Sequence, residues 1–200
     1  TPNETKYYYV EVRNNDIHDT EGTAVTVKSD TVKIAFGSYE ARIKGIAYET
    51  LEQAVAAATS GDTIQLIKDL FVDSKISISK NVTLTGFGLY RKTGYTGTLL
   101  QVSSGKVILK DLIIDGGAVW NGPVDSVLNN YSSPFGGAVL STGSSEIILE
   151  KGRVSGNQAT SSGGTFCVDG NSSFTMKDSG DANMPSIIED NRTNGDGGSI

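Results

Sequence analysis

Asp111, Lys151 and Asp178 are the side chains of this sequence whose types and spacing come nearest to acid–base chemistry. Five apolar pairs in i, i+2 spacing give a frame for aligning them: Ile64/Leu66, Val82/Leu84, Val107/Leu109, Ile147/Leu149 and Phe174/Met176. When the last three pairs are superimposed, Lys110, Glu150 and Lys177 share one station, and Asp111, Lys151 and Asp178 share the next. Carboxylates flanking a basic side chain have the composition of a polysaccharide lyase site. There the carboxylates, often with Ca²⁺, neutralise an acidic sugar while a base removes a proton. The same columns alternate in sign along both stacks, so they also read as cross-strand charge ladders that favour one register, each pair contributing about 0.2–1 kcal/mol. Two features favour the ladder. A lysine between two aspartates repels an ion that prefers about six to eight oxygens, and no Arg stands in either column. No catalytic residues are therefore assigned, and no metal site.

Other chemistry finds little support. A glycoside hydrolase needs two carboxylates at a set separation; Asp115, in Ile113-Ile114-Asp115-Gly116-Gly117, has no such partner and reads as a turn residue. The Gly-rich stretches lack the Gly-Lys-Ser/Thr of a phosphate loop, and the Ca²⁺-binding nonapeptide repeat is absent. Cys167 is the only cysteine, so no internal disulfide forms, and it reads as a small buried hydrophobe. The only histidine, His18, lies far off in the N-terminal zone, in a polar turn. Trp120, Tyr131 and Phe135, or Tyr90 and Tyr95 between Gly88 and Gly97, offer a sugar-stacking platform; the plainer reading is that they cover loops against the wall of the fold.

The elements that must position these side chains are legible as a repeat. Gly-Gly occurs at 116–117, 136–137, 163–164 and 197–198, and an Asn lies six residues before each of the last three: Asn130 before Gly136, Asn157 before Gly163, Asn191 before Gly197. Val127, Val154 and Ile188 each sit three residues before the Asn, and Gly143 and Gly170 seven after the start of a Gly-Gly. The apolar pairs recur at steps of 18, 25, 40 and 27 residues, the 40-residue step holding a long excursion from Ala118 to Phe135. Short period-2 strands separated by Gly turns, in units of this length, predict a right-handed parallel β-helix over residues 63–200, an all-β solenoid whose inward pairs fill a common interior. Asn130, Asn157 and Asn191 are expected to stack as an amide ladder.

Upstream, Thr50-Leu51-Glu52-Gln53 is a capping box that opens a short helix with Leu51, Ala54, Val55 and Ala58 on its apolar stripe and Gly61 as its expected left-handed stop. Residues 37–62 thus form a junction and a capping helix across one end of the stack. Residues 1–36 read as two extended ribbons, Tyr7 to Val12 and Val25 to Phe36, around a polar loop.

At these residues the chain resembles known families. The N-terminal zone resembles the last two strands of a bacterial immunoglobulin-like domain, which implies an incomplete β-sandwich. Residues 63–200 resemble pectate-lyase-like β-helix proteins. Ser155-Gly156-Asn157-x5-Gly163-Gly164-Thr165 and Asp190-Asn191-x5-Gly197-Gly198-Ser199-Ile200 look like the repeats of polymorphic outer-membrane proteins and related adhesins. The resemblance implies a modular extracellular or cell-surface protein of a bacterium, adhesin-like or carbohydrate-binding and non-catalytic within this segment, with a glycan or host-surface ligand. The alternative it implies is a polysaccharide lyase or glycoside hydrolase, the lyase with Ca²⁺. Ending at Gly-Gly-Ser-Ile and lacking the earlier immunoglobulin-like strands, the chain reads as a fragment, its β-helix truncated at the C-terminal end.

Bulk properties agree. Gly makes up 24 of 200 residues, the excess that many tight turns require. A net charge of −6 without a Lys/Arg cluster argues against nucleic acid and anionic membrane surfaces as partners, and no apolar run reaches the roughly 20 residues that span a bilayer.

Overall fold

The structure, a computed structural model, describes residues 6–8, 11–14, 25–29, 32–34, 38–117, 133–177, 185–193 and 195. The chain divides into two compact units, Thr1–Ser38 and Tyr39–Ile200. In the first, Lys6–Tyr8 pairs antiparallel with Val32–Ile34, and Glu11–Asn14 pairs antiparallel with Val25–Lys28. The ribbons expected there are thus two short ladders of one hairpin-like pairing.

The second unit is built mainly of parallel strands in three sheets. The broadest has nine strands, through Phe166–Val168, Val139–Glu150, Leu100–Lys110, Val82–Gly86 and Asp62–Leu66, and ends in the hairpin Ala41–Ile43/Ile46–Tyr48; Ser173–Lys177 and Ile76–Ile78 join it from the side. A second sheet stacks Leu70–Val72, Leu89–Arg91, Ile113–Asp115, Arg153–Ser155 and Ile187–Glu189. A third stacks Ser133–Phe135, Gln158–Ser162 and Arg192–Thr193. Every pairing within the second and third sheets is parallel. The chain visits the sheets in rotation: Val139–Glu150 leads to Arg153–Ser155, then Gln158–Ser162, then back to Phe166–Val168. Parallel pairing of consecutive visits requires such a crossover.

The interior is where the period-2 pattern places it for four of the five pairs; the fifth departs from expectation, with Phe174 partly buried and Met176 52% exposed, because among the described residues Ser173–Lys177 is covered by a strand on one side only. Val107, Leu109, Ile147 and Leu149 are 0% exposed and Leu84 likewise, while Val107 pairs with Val82 and Ile147, and Ile147 with Phe174. One registration differs from expectation. Ile64 lies beside Leu84, not Val82, and the partner of Val82 is Asp62. A two-residue shift keeps every side chain on its face, so Ile64 and Leu66 remain fully buried and only the partner changes. A further inward column escaped the pair search because it lies before the bend: Ile76, Leu100, Val139 and Phe166 are consecutive neighbours, all nearly or fully buried.

Asp62 takes an inward station at the end of its sheet, so its carboxylate needs partners. Lys44 Nζ lies 2.6 Å away, and the Thr59 amide and hydroxyl both donate to it at 2.8 Å. The Lys44 ammonium foremost, with the Thr59 donors, holds the carboxyl down to about 2 from an ordinary 3.8.

The helix Leu51–Ala57 forms with Thr50 as N-cap, its hydroxyl accepting from the Gln53 amide at 3.2 Å, and Glu40 accepts from the Leu51 amide. Leu51, Ala54 and Val55 are buried against the hairpin and the strands Asp62–Leu66 and Ile76–Ile78. Its end differs from expectation. Gly61 is left-handed (φ 92°), yet the helix stops earlier, at an extended Ala58, because Lys80 reaches over and donates to the Ala56 and Ala58 carbonyls at 3.2 and 2.9 Å. A cation on the terminal carbonyls does what a glycine cap would do. The hairpin and helix make residues from Tyr39 onward part of the second unit, so most of the expected junction 37–62 is structure continuous with the broad sheet.

The Gly-Gly repeat has a geometric cause. Gly136 and Gly163 have φ of 54° and 63°, and a Cβ on either would meet the carbonyl oxygen three residues on, Val139 O or Phe166 O, at 2.2 Å. Both positions therefore exclude any other residue by space, and the left-handed conformation disfavours a side chain further. The third member, Gly197, lies outside the described residues.

Two outcomes are expected. Gly163→Ala should destabilise the second unit by about 3 kcal/mol, read from the midpoint of chemical unfolding. Asp62 contributes stability above its ordinary pKa and loses it as pH falls toward about 2. Stability measured against pH should therefore fall between about pH 4 and pH 2, and Asp62→Asn should flatten that slope.

Candidate functional site

The outward faces of the broad sheet carry the charge ladders. Lys110 Nζ lies 2.7 Å from Glu150, and Lys106 Nζ 2.8 Å from Glu146. Lys177 follows Glu150 in register. Hydrogen bonding from Lys110 lowers the Glu150 pKa, and the same bond raises that of Lys110. These pairs are half exposed, so they set register more than they stabilise.

One residue further along each strand the chain turns a corner into the second sheet. Asp111 and Lys151 both stand there in the left-handed region, with φ of 49° and 53°. The Asp111 amide donates to the Glu150 carbonyl and the Lys151 amide to the Ser186 hydroxyl. Such a conformation costs a non-glycine residue about 1–2 kcal/mol. Asp178, the third member of that column, lies outside the described residues.

Asp111 and Lys151 line a groove of about 540 Å³ along this corner, together with Asp69, Phe87, Tyr90, Ile113, Arg153 and Pro185. Tyr90, Ile113 and Arg153 of this lining stand on the second sheet, whose outer face continues beyond the groove. There Phe71 pairs with Tyr90 in register, their rings 5.7 Å apart and tilted by 31°. Phe71 is 69% exposed, Phe87 53% and Ile113 40%. Exposed apolar side chains thus gather on and beside the outer face of the second sheet. Burial, with the Asp69 and Asp115 carboxylates nearby, pushes the Tyr90 phenol above its ordinary value. Arg153 is held by Glu189 at 2.6 Å, and Asp69 accepts from the Gly88 amide.

The other candidates fall elsewhere. Phe135 is 48% exposed, does not line the groove, and its carbonyl accepts from the Thr98 hydroxyl at 2.7 Å. Trp120, Tyr131, Asn130 and His18 lie outside the described residues. Tyr95 is not a platform: its hydroxyl donates to the Thr98 carbonyl, and its ring lies 5.5 Å from the Arg91 guanidinium. That arginine, 6% exposed, donates to the Tyr95, Gly97 and Gly137 carbonyls, and burial lowers its pKa to about 10. Asp115 accepts from the Gly117 amide at 2.7 Å, a turn role. Cys167 is half buried, and burial raises its thiol pKa.

Asn157 and Asn191 do meet. Asn191 Oδ1 accepts from the Asn157 amide and from Asn157 Nδ2, at 2.9 and 3.1 Å, and Asn157 is fully buried. On the other side a Cβ on Gly116 would come 2.7 Å from Asn157 Oδ1, so that neighbour has no room for a side chain.

Among the described residues no group of three or more His, Cys, Asp or Glu side chains could hold a metal ion, and no helix is long and apolar enough to cross a membrane. The groove does not fit Ca²⁺: one of its carboxylates, Asp69, is engaged by a backbone amide, and Lys151 and Arg153 share the space with the other.

Comparison with family models, curated proteins and solved structures finds no match to this chain.

Of the aromatics on and beside the second sheet the sequence pointed to Tyr90 alone; Phe71 in a three-residue strand and Phe87 just before another carry an outward face that only the sheet order reveals. Their shared signal, an aromatic between two inward aliphatics in Leu70-Phe71-Val72 and beside Leu89 in Leu89-Tyr90-Arg91, is visible once those strands are placed side by side.

Proposed function

We propose that this chain is the right-handed parallel β-helix of an extracellular or cell-surface protein, preceded by the closing strands of an immunoglobulin-like domain, and that it binds a glycan without turning it over. The rotation of the chain through three parallel sheets, the stacked Gly136/Gly163 corners and the Asn157–Asn191 bonds support the solenoid. The observation that carries the binding reading is the exposed shelf of Phe71, Tyr90 and Phe87 beside a groove holding both carboxylates and cations. Aromatic rings pack on the C–H faces of sugars while fixed polar groups take the hydroxyls.

A second reading, a polysaccharide lyase, is favoured by one observation: Asp111 and Lys151 line the same groove. Against it, no general acid–base pair is assembled there with a third group orienting it.

The test is an oligosaccharide array followed by calorimetry. The double variant Phe71→Ala/Tyr90→Ala is expected to bind a hit glycan at least about tenfold more weakly, with its melting temperature little changed. Release of unsaturated sugar from an acidic polysaccharide, abolished by Lys151→Ala, would replace this reading with the lyase.

A further inference from the structure

We propose that Asp111 and Lys151 are the polar recognition pair of the corner groove, and that its ligand is an uncharged, hydroxyl-rich sugar chain. The inference rests on the glycan-binding reading above and adds the residues and the ligand class.

Three observations converge on the pair. The first is backbone conformation. Thr85, Lys110 and Glu150 are consecutive neighbours across the broad sheet, so the residues after them, Gly86, Asp111 and Lys151, occupy one corner station. All three are left-handed, with φ of 106°, 49° and 53°. Gly86 is what the corner itself asks for. Aspartate tolerates the conformation; a lysine gains nothing from it. Asp111 and Lys151 thus hold side chains at a station where glycine would be less strained, and both line the groove.

The second is pairing. The columns around the corner neutralise themselves, as in Lys106–Glu146, Lys110–Glu150 and Arg153–Glu189. Among the described residues Asp111 and Lys151 make no ion pair, although they stand on adjacent strands about 4.8 Å apart. An acceptor and a donor thus stand at one corner, each near an opposite charge of its own strand (Lys110 for Asp111, Glu150 for Lys151) but with no ion pair between them.

The third is charge balance. A hydroxyl both donates and accepts, and a carboxylate beside an ammonium matches both functions. A carboxylated sugar would instead bring a negative charge against Asp111 and Asp69. Phe87 and Tyr90 supply the apolar wall on which a ring packs.

The experiment compares the wild-type chain with Asp111→Gly, Lys151→Gly and Lys151→Gln. Each is titrated with uncharged glucan and mannan oligosaccharides and with oligogalacturonate, and each is melted. The expected result is wild-type binding to an uncharged oligosaccharide, with the Gly variants melting no lower than wild type yet binding at least about tenfold more weakly. Lys151→Gln, which keeps the side chain's length without its charge, should bind more weakly too. Undiminished binding by all three variants overturns the recognition pair while leaving glycan binding standing. Binding confined to oligogalacturonate and lost in Lys151→Gly overturns the ligand class. Failure to bind any of these, or any glycan on an array, overturns the underlying reading as well.

Discussion

The parallel register between Leu100–Lys110 and Val139–Glu150 is the constraint on which the rest of the second unit depends. Ten residue pairs lie opposite one another along it, with a single irregularity between Val102 and Ser104. Because the side chains alternate, this one ladder places Val107 and Leu109 over Ile147 and Leu149 inside, and Lys106 and Lys110 over Glu146 and Glu150 outside. A slip of one strand by one residue would bury its two charges and expose its aliphatics. Hydrophobic burial supplies the driving force; the outward charges contribute little energy but penalise a wrong pairing.

The corner groove follows from that register. Where the ladder ends at Lys110 and Glu150, the next residues must turn, and they turn together because their strands end together. Asp111 and Lys151 are neighbours for that reason alone. The second sheet then starts within three residues, which brings Ile113 and Arg153 alongside them and sets the Phe71–Tyr90 shelf on the same outer face. A surface of this kind needs no loop architecture. Its precision comes from strands that are locked on their inner side by Leu70, Leu89, Ile114 and Val154, all 5% exposed or less.

Polar groups inside the unit are handled in contrasting ways. Asp62 is matched by a cation and two donors, while Asn157 donates to Asn191 and its own Oδ1 finds no donor among the described residues. Arg91 meets only backbone carbonyls and a tyrosine ring, and its Nε finds no acceptor among the described residues. It joins the Tyr95–Gly97 turn to the Gly137 corner, a link between segments distant in sequence. Leaving part of a buried cation unsatisfied is costly, so this join carries a penalty, as do Gln158 Oε1 and Thr165 Oγ1, which also lack partners among the described residues.

The sequence by itself determined the all-β character, four of the five inward pairs and the equivalence of Gly136 with Gly163 and of Asn157 with Asn191. Each of these is enforced locally: alternation decides which face a side chain takes, and a left-handed corner with no space for a Cβ admits only glycine. Tertiary structure alone decided which pairs become neighbours. The partner of Val82 is Asp62 because the hairpin and helix at that end supply Lys44 and Thr59 to satisfy a carboxylate, something spacing cannot encode. It also decided that Lys80 meets the terminal carbonyls of the helix, and that Phe87 and Tyr90 line one groove with Asp111 and Lys151 while Phe71 stands beside Tyr90, outside that lining. Those residues stand on different strands, and only the order of the sheets brings them together.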